Sequence, residues 1–135
     1  MTGLSKSAVY ALHAALDLAR AGEGEPVTAA EVAARHAIPA AVMAKVFQQL
    51  VRAGLVSGFR GSRGGYRLAR PAARITVLQV LDVFEARRGE ETAPHEERLR
   101  RLFAEVDELV RCTYASITLA TLAGPSRPEE PEKRQ

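Results

Sequence analysis

The chain has 135 residues, 47% of them apolar but only 5% aromatic, with no Trp and one cysteine, Cys112. That length suits a single domain with an added helix or tail, and one thiol excludes both an intramolecular disulfide framework and a four-cysteine metal site within one chain. The net charge is +3, yet no acidic residue lies between Glu31 and Asp82, where Arg35, Lys45, Arg52, Arg60, Arg63, Arg67, Arg70 and Arg74 give +8 and leave −5 for the rest; such segregation points to a polyanion facing the middle third.

Residues 5–21 read as a helix, with Val9, Leu12, Leu16 and Ala19 recurring at spacings of three and four. Gly22, Gly24 and Pro26 break it. Thr28-Ala29-Ala30-Glu31 is a capping box opening a short second helix to about His36, with Val27 and Val32 placed for a hydrophobic staple. Ile38-Pro39 restarts the chain, proline suiting the first turn of a new helix. From Ala40 to Ala53, Met43, Val46, Phe47 and Leu50 form one stripe, with Ala41, Ala44, Lys45, Gln48 and Arg52 opposite and Gly54 as the stop. Two helices joined so tightly, the second with an apolar back and a small, polar front, are a helix-turn-helix.

Leu55–Phe59 and Tyr66–Ala69 are β-compatible runs around the Gly-rich turn Arg60-Gly61-Ser62-Arg63-Gly64-Gly65, a hairpin that makes a wing. Thr76 caps a further helix carrying Val77, Val80, Leu81 and Phe84 toward the core, and an acidic loop spans Gly89–Pro94. A long helix is expected from His95 to Leu122, on the order of 40 Å at 1.5 Å per residue. Its stripe of Leu99, Leu102, Phe103, Val106, Leu109, Val110, Thr113 and Ile117 is too long for one small domain to cover, which predicts a homodimer. The fold class is therefore mainly α with a small β-hairpin wing. Residues 1–90 form a winged helix-turn-helix DNA-binding domain, 91–123 a dimerisation helix and 124–135, rich in proline and charge, a disordered tail.

His13 and Asp17 interrupt the apolar run at residues 8–16, and no stretch reaches the roughly 18–20 apolar residues of a membrane span. The expected location is the cytoplasm, with no membrane partner. The Gly-rich turn lacks the lysine and following helix of a nucleotide phosphate loop. No Ser/His/Asp or Cys/His constellation points to an enzyme.

The run Arg60-Gly61-Ser62-Arg63-Gly64-Gly65-Tyr66-Arg67-Leu68-Ala69-Arg70-Pro71 resembles the wing of the Rrf-type family of bacterial winged helix-turn-helix transcription regulators, the IscR/NsrR-like group. Tyr10-Ala11-Leu12, Thr28-Ala29-Ala30-Glu31-Val32-Ala33, Ile75-Thr76-Val77 and Ile117-Thr118-Leu119-Ala120 extend the similarity over about residues 4–122. The resemblance implies dimers on pseudo-palindromic promoter sites and, in many members, an iron–sulfur cluster held by three cysteines near the start of the long helix. Residues 87–98 hold no cysteine here, so the standard cluster lacks its thiolates, while an unusual cluster or haem is left open. No cofactor is expected, and a small molecule or a redox signal would serve as effector.

For double-stranded DNA the candidates are Ala41, Val42, Lys45 and Gln48 at base edges and thymine methyls, Arg60, Gly61, Arg63 and Gly64 in the wing, and Thr28 and Arg52 beside them. Leu99, Leu102, Phe103, Val106, Val110, Thr113 and Ile117 are the candidate dimer interface. Cys112 reads first as a small buried hydrophobe, then as a redox thiol activated by Arg111, then as a metal ligand. His13 reads as a core or dimer contact; its rival, a mixed His13–Cys112 metal site across the dimer, is what the family resemblance implies, since some relatives recruit first-helix side chains as cluster ligands. His36 suits the second helix's C-terminal dipole, and His95 is expected to be solvated. Two functions stand: a transcription regulator, in first place a repressor, or a winged helix kept for protein interaction or nonspecific DNA binding.

Overall fold

A computed structural model describes residues 4–85 and 94–124. Helices α1 (Lys6–Ala21), α2 (Ala29–His36) and α3 (Ala40–Arg52) are followed by the hairpin β1 (Val56–Phe59) and β2 (Gly65–Leu68), a 3₁₀ turn (Ala72–Arg74), and helices α4 (Val77–Glu85), α5 (Glu97–Ala115) and α6 (Leu119–Ala123). The winged helix-turn-helix is present as expected. The acidic loop, apart from Pro94, the boundary at residues 90–91 and the tail beyond Gly124 lie outside the described residues.

Local chemistry accounts for the helix starts. Ser5 accepts from Ala8 N–H at 3.1 Å to open α1. The expected capping box at α2 is closed in both directions, Glu31 N–H to Thr28 Oγ1 at 3.0 Å and Thr28 N–H to a Glu31 carboxylate oxygen at 3.4 Å. Thr76 and Gln79 form a second box at α4, with bonds of 2.9 and 3.1 Å. Pro39 is the N-cap of α3 rather than its first helical residue. Between α2 and α3 the chain turns through Ala37 at φ 54°, the left-handed region in which an L-residue is strained.

The core gathers Leu18, Val32, Met43, Val46, Phe47, Leu50, Ile75, Val80 and Leu119, each no more than 2% exposed. The face α1 turns to it differs from the expected one. Ala8, Ala11, Ala14, Ala15 and Leu18 are buried, while Leu12, Leu16 and Ala19 are half-buried and Val9 is exposed. Alanine lets neighbouring helices approach closely, so tertiary packing selected the small-residue face over the bulkier one.

The long helix is shorter than expected. It starts behind Glu96, whose carboxylate accepts from Arg98 and Leu99 N–H, and ends at Ala115, with Ser116 as C-cap. Thr118 then caps the separate helix α6. The break is made by backbone pairing: Val77 N–H donates to Ile117 C=O and Leu119 N–H to Ile75 C=O, both at 2.8 Å. Ile117 thus leaves the stripe and packs against Ala8, Val77 and Leu81 of its own chain. Arg111 braces α5 to α4 through two bonds to Asp82, at 2.9 and 3.2 Å.

Candidate nucleic-acid interface

The outward face of helix α3 carries residues separated by four, seven and eleven positions. Ala41, Lys45, Gln48 and Arg52 are all exposed and share one side by the 3.6-residue period, opposite buried Met43, Val46, Phe47 and Leu50. Val42 is half-buried and packs against the core, so it offers only an edge. Gln49, absent from the sequence candidates, is exposed on the flank of that face. Thr28 is half-buried and its hydroxyl is committed to the α2 cap.

The wing is joined to α3 through the core. Phe47, on the inner side of α3, stacks on Tyr66 of β2 with ring centroids 4.4 Å apart. Tyr66 in turn exchanges two backbone hydrogen bonds with Val27, at 2.7 and 3.0 Å, so the segment before α2 extends the hairpin by one bridge. This contact explains the second glycine of the pair, and the turn explains the first. A side chain at Gly65 would bring its Cβ to 2.8 Å from Val27 C=O, and one at Gly64 to 2.7 Å from Phe59 C=O. Gly64 is required by the hairpin itself and Gly65 by its bridge to Val27, before any demand from a ligand. Arg60, Gly61, Ser62 and Arg63 are exposed in the turn they close.

The cations of the acid-free interval divide into two groups. Arg35 pairs with Asp17 at 2.9 Å, Arg63 with Glu25 at 3.2 Å, and Arg67 donates to Gly24 C=O at 2.9 Å while lying 5.2 Å from the centre of the Phe59 ring. The side chains of Lys45, Arg52, Arg60, Arg70 and Arg74 are exposed and make no ion pair or hydrogen bond among the described residues. Uncompensated cations on the outward face of α3, in the wing and just beyond it suit a surface that meets phosphate.

The expectations for the other titratable groups change. His13 is exposed rather than a core residue, and its ring lies 4.5 Å from that of His36. His36 does more than face a helix dipole: its Nε2 donates to Asp17 Oδ2 at 2.8 Å, which requires the tautomer protonated there. Cys112 is exposed rather than buried. Its Sγ donates to Glu108 Oε1 at 3.5 Å, and that carboxylate pushes the thiol pKa up. The neighbouring Arg111, expected to lower it, is turned to Asp82. Among the described residues no group of three or more His, Cys, Asp or Glu side chains could hold a metal ion. No described helix is long and apolar enough to cross a membrane.

Helix α5 buries no residue, and Leu99, Leu102, Phe103, Val106 and Leu109 stand exposed along it, Phe103 at 53% and Leu109 at 69%. Val110 is half-buried and Thr113 exposed on the same side.

A family model described as Rrf2, iron-dependent transcriptional regulator, matches residues 4–125. A protein named as an HTH-type transcriptional regulator, BadM of Rhodopseudomonas palustris, is 34% identical over 125 residues, which is 88% of this chain and 80% of that protein. The transcriptional regulator IscR of Cereibacter sphaeroides is 43% identical over 84 residues, 61% of this chain and 54% of its own length. Of solved structures, IscR of T. potens superposes with a TM-score of 0.78 at 28% identity, covering 89% of this chain and 85% of that one. CymR, the global cysteine regulator of B. subtilis, does so with a TM-score of 0.79 at 26% identity, covering 91% and 97%. The chain's one cysteine, Cys112, is exposed, and a single thiol does not make up the several thiolates of a cysteine-ligated iron–sulfur cluster.

Proposed function

Because the chain belongs to the Rrf2 family and shares the winged-helix, DNA-binding architecture of transcriptional regulators, we propose that it is a homodimeric repressor that binds a pseudo-palindromic promoter site in the cytoplasm. The observation that carries this reading is the pairing of an outward cationic face on α3 and the wing with an apolar row on α5 that no described residue covers. Two copies packed through α5 would bury Leu99, Leu102, Phe103, Val106 and Val110, each large side chain contributing about 1.5–3 kcal/mol when fully removed from water. They would also present two recognition helices to successive major grooves, where half-sites lie about 34 Å apart. Lys45 and Gln48 then read base edges, while Arg52 and Arg60 hold phosphate. We assign no catalytic role and no resident cofactor. The effector in this reading is a small molecule or a redox change, and protein purified without oxygen is expected to be colourless.

Selection of bound duplexes from a random pool tests the proposal. A two-fold consensus supports it; salt-sensitive binding without sequence preference replaces it with nonspecific coating, and no binding at all replaces it with protein interaction. Reversing Arg60 and Arg63 to Glu is expected to weaken duplex binding by about 100-fold or more, since each reversal removes a counterion-releasing contact and adds repulsion. Unchanged affinity would overturn the role of the wing.

A further inference from the structure

The acid-free interval of the sequence is not acid-free in space. The segment between α1 and α2 runs alongside the wing and is fixed to it at separate points: Val27 exchanges two backbone bonds with Tyr66, and Gly24 C=O accepts from Arg67 Nε at 2.9 Å. The missing Cβ of Gly65 lets Pro26 and Val27 approach to within about 3 Å, as the 3.0 and 2.8 Å distances from an added Cβ show. Glu25 sits between these anchors, and its Oε1 lies 3.2 Å from Arg63 Nη1 at the wing turn. Both side chains are largely exposed, at 83% for Arg63 and 77% for Glu25. The pair is therefore open to water and to any ligand that reaches the wing.

We propose that Glu25 is an internal competitor for the phosphate that Arg63 would bind, setting the affinity and the salt response of the wing. The inference rests on the reading of the wing as a DNA contact. In the free protein the carboxylate occupies the guanidinium. On binding, a phosphate replaces it, and Glu25 is left close to the DNA backbone as a like charge. An exposed ion pair is weak, so the competitor is easily displaced and lowers affinity without abolishing it. Because the anchors hold the Glu25 backbone, the carboxylate stays beside the wing after displacement and its repulsion persists in the complex. Arg60, on the same turn with no partner among the described residues, is the internal contrast.

Glu25→Gln removes the charge at constant size, and the exposed position leaves folding unaffected. Fluorescence anisotropy with a duplex bound by the wild-type protein is expected to show binding tighter by about three- to ten-fold at 50 mM salt. The plot of log affinity against log salt should steepen by up to about one unit, because Arg63 then enters the complex without leaving a carboxylate to recruit a cation. In an Arg63→Ala background the Glu25 substitution should keep only the part due to repulsion, so its gain must shrink. Unchanged affinity and slope in Glu25→Gln, with Arg63→Ala weakening binding, overturn the competitor and leave the wing as a DNA contact. An Arg60→Ala/Arg63→Ala protein that binds as tightly as wild type removes the wing contact itself, and the competitor falls with it.

Discussion

In the winged-helix head, Leu18, Met43, Phe47, Leu50, Ile75, Leu81 and Leu119 lose essentially all contact with water, while α5, the longest helix of the described chain, buries no residue at all. The head closes its core with its own helices, and even recruits α6 from beyond the long helix to supply Leu119. Among the described residues, Arg111 fastens helix α5 to Asp82, and Tyr114 stands among the half-buried neighbours of Leu81. Leu99, Leu102, Phe103 and Val106 of this helix face water, an apolar row of the kind that marks an interaction surface. The two regions therefore should differ in a measurable way: changes in the head should shift unfolding independently of protein concentration, and changes in α5 should act through concentration.

The largest effect is expected on α5. Replacing Leu102 and Phe103 together with Glu puts two charges into the row where an apolar partner is needed. Sedimentation should then report a monomer, and the affinity for a two-half-site duplex should fall by about 10³- to 10⁴-fold through lost bivalency. The far-ultraviolet signal of the head should remain. A double variant that still sediments as a dimer would place the interface elsewhere and break the comparison.

A smaller effect is expected inside the head at Asp17, a carboxylate only 4% exposed. Its Oδ2 accepts from Arg35 Nη1 at 2.9 Å and from His36 Nε2 at 2.8 Å, tying α1 to the end of α2. Asp17→Asn keeps the volume but loses the charge that strengthens both bonds, at a cost of about 1–3 kcal/mol in urea unfolding. The loss should be the same at low and high protein concentration below the dimer transition. A loss that vanishes on dilution would mean that the head is not the independent unit its core suggests.

How much of this was legible in the sequence followed from the range of the forces involved. Helix α3 could be read because Met43, Val46, Phe47 and Leu50 are large and Ala41, Lys45, Gln48 and Arg52 are small or polar, so periodicity alone separates its faces. The wing could be read because Gly64 and Gly65 are demanded by carbonyls in and beside the hairpin. Helix α1 misled because alanine fits either side of a helix, and only the closeness of its neighbours decided which alanines were buried. The end of the long helix misled because the 3.6-residue pattern runs on through Ile117 while the backbone turns away to pair with Ile75 and Val77. The pairs Asp17–His36 and Glu25–Arg63 join residues 19 and 38 positions apart, and no local pattern announces such contacts. The exposure of Cys112 belongs to the same class, since it depends on which side of α5 meets α4.

The smallest effect is a gain, at the turn on which the head's reading geometry hangs. Ala37 holds φ 54° and ψ 43° as the C-cap of α2, its N–H donating to Ala33 C=O. Ile38 N–H donates to that same carbonyl at 2.9 Å, so the strained residue is held from both sides. A left-handed conformation costs an L-residue about 1–2 kcal/mol, whereas glycine adopts it freely but loses more entropy on folding. Ala37→Gly should therefore stabilise the head by about 0.5–1 kcal/mol, the strain released less the added entropy. The exposed methyl of Ala37 contributes little packing to offset this. If the turn only sets the angle between α2 and α3, the gain appears in unfolding at every protein concentration while sedimentation and duplex affinity stay as in the wild type. A glycine that loosened DNA binding would show instead that the strain at Ala37 helps to hold α3 at the angle the groove requires.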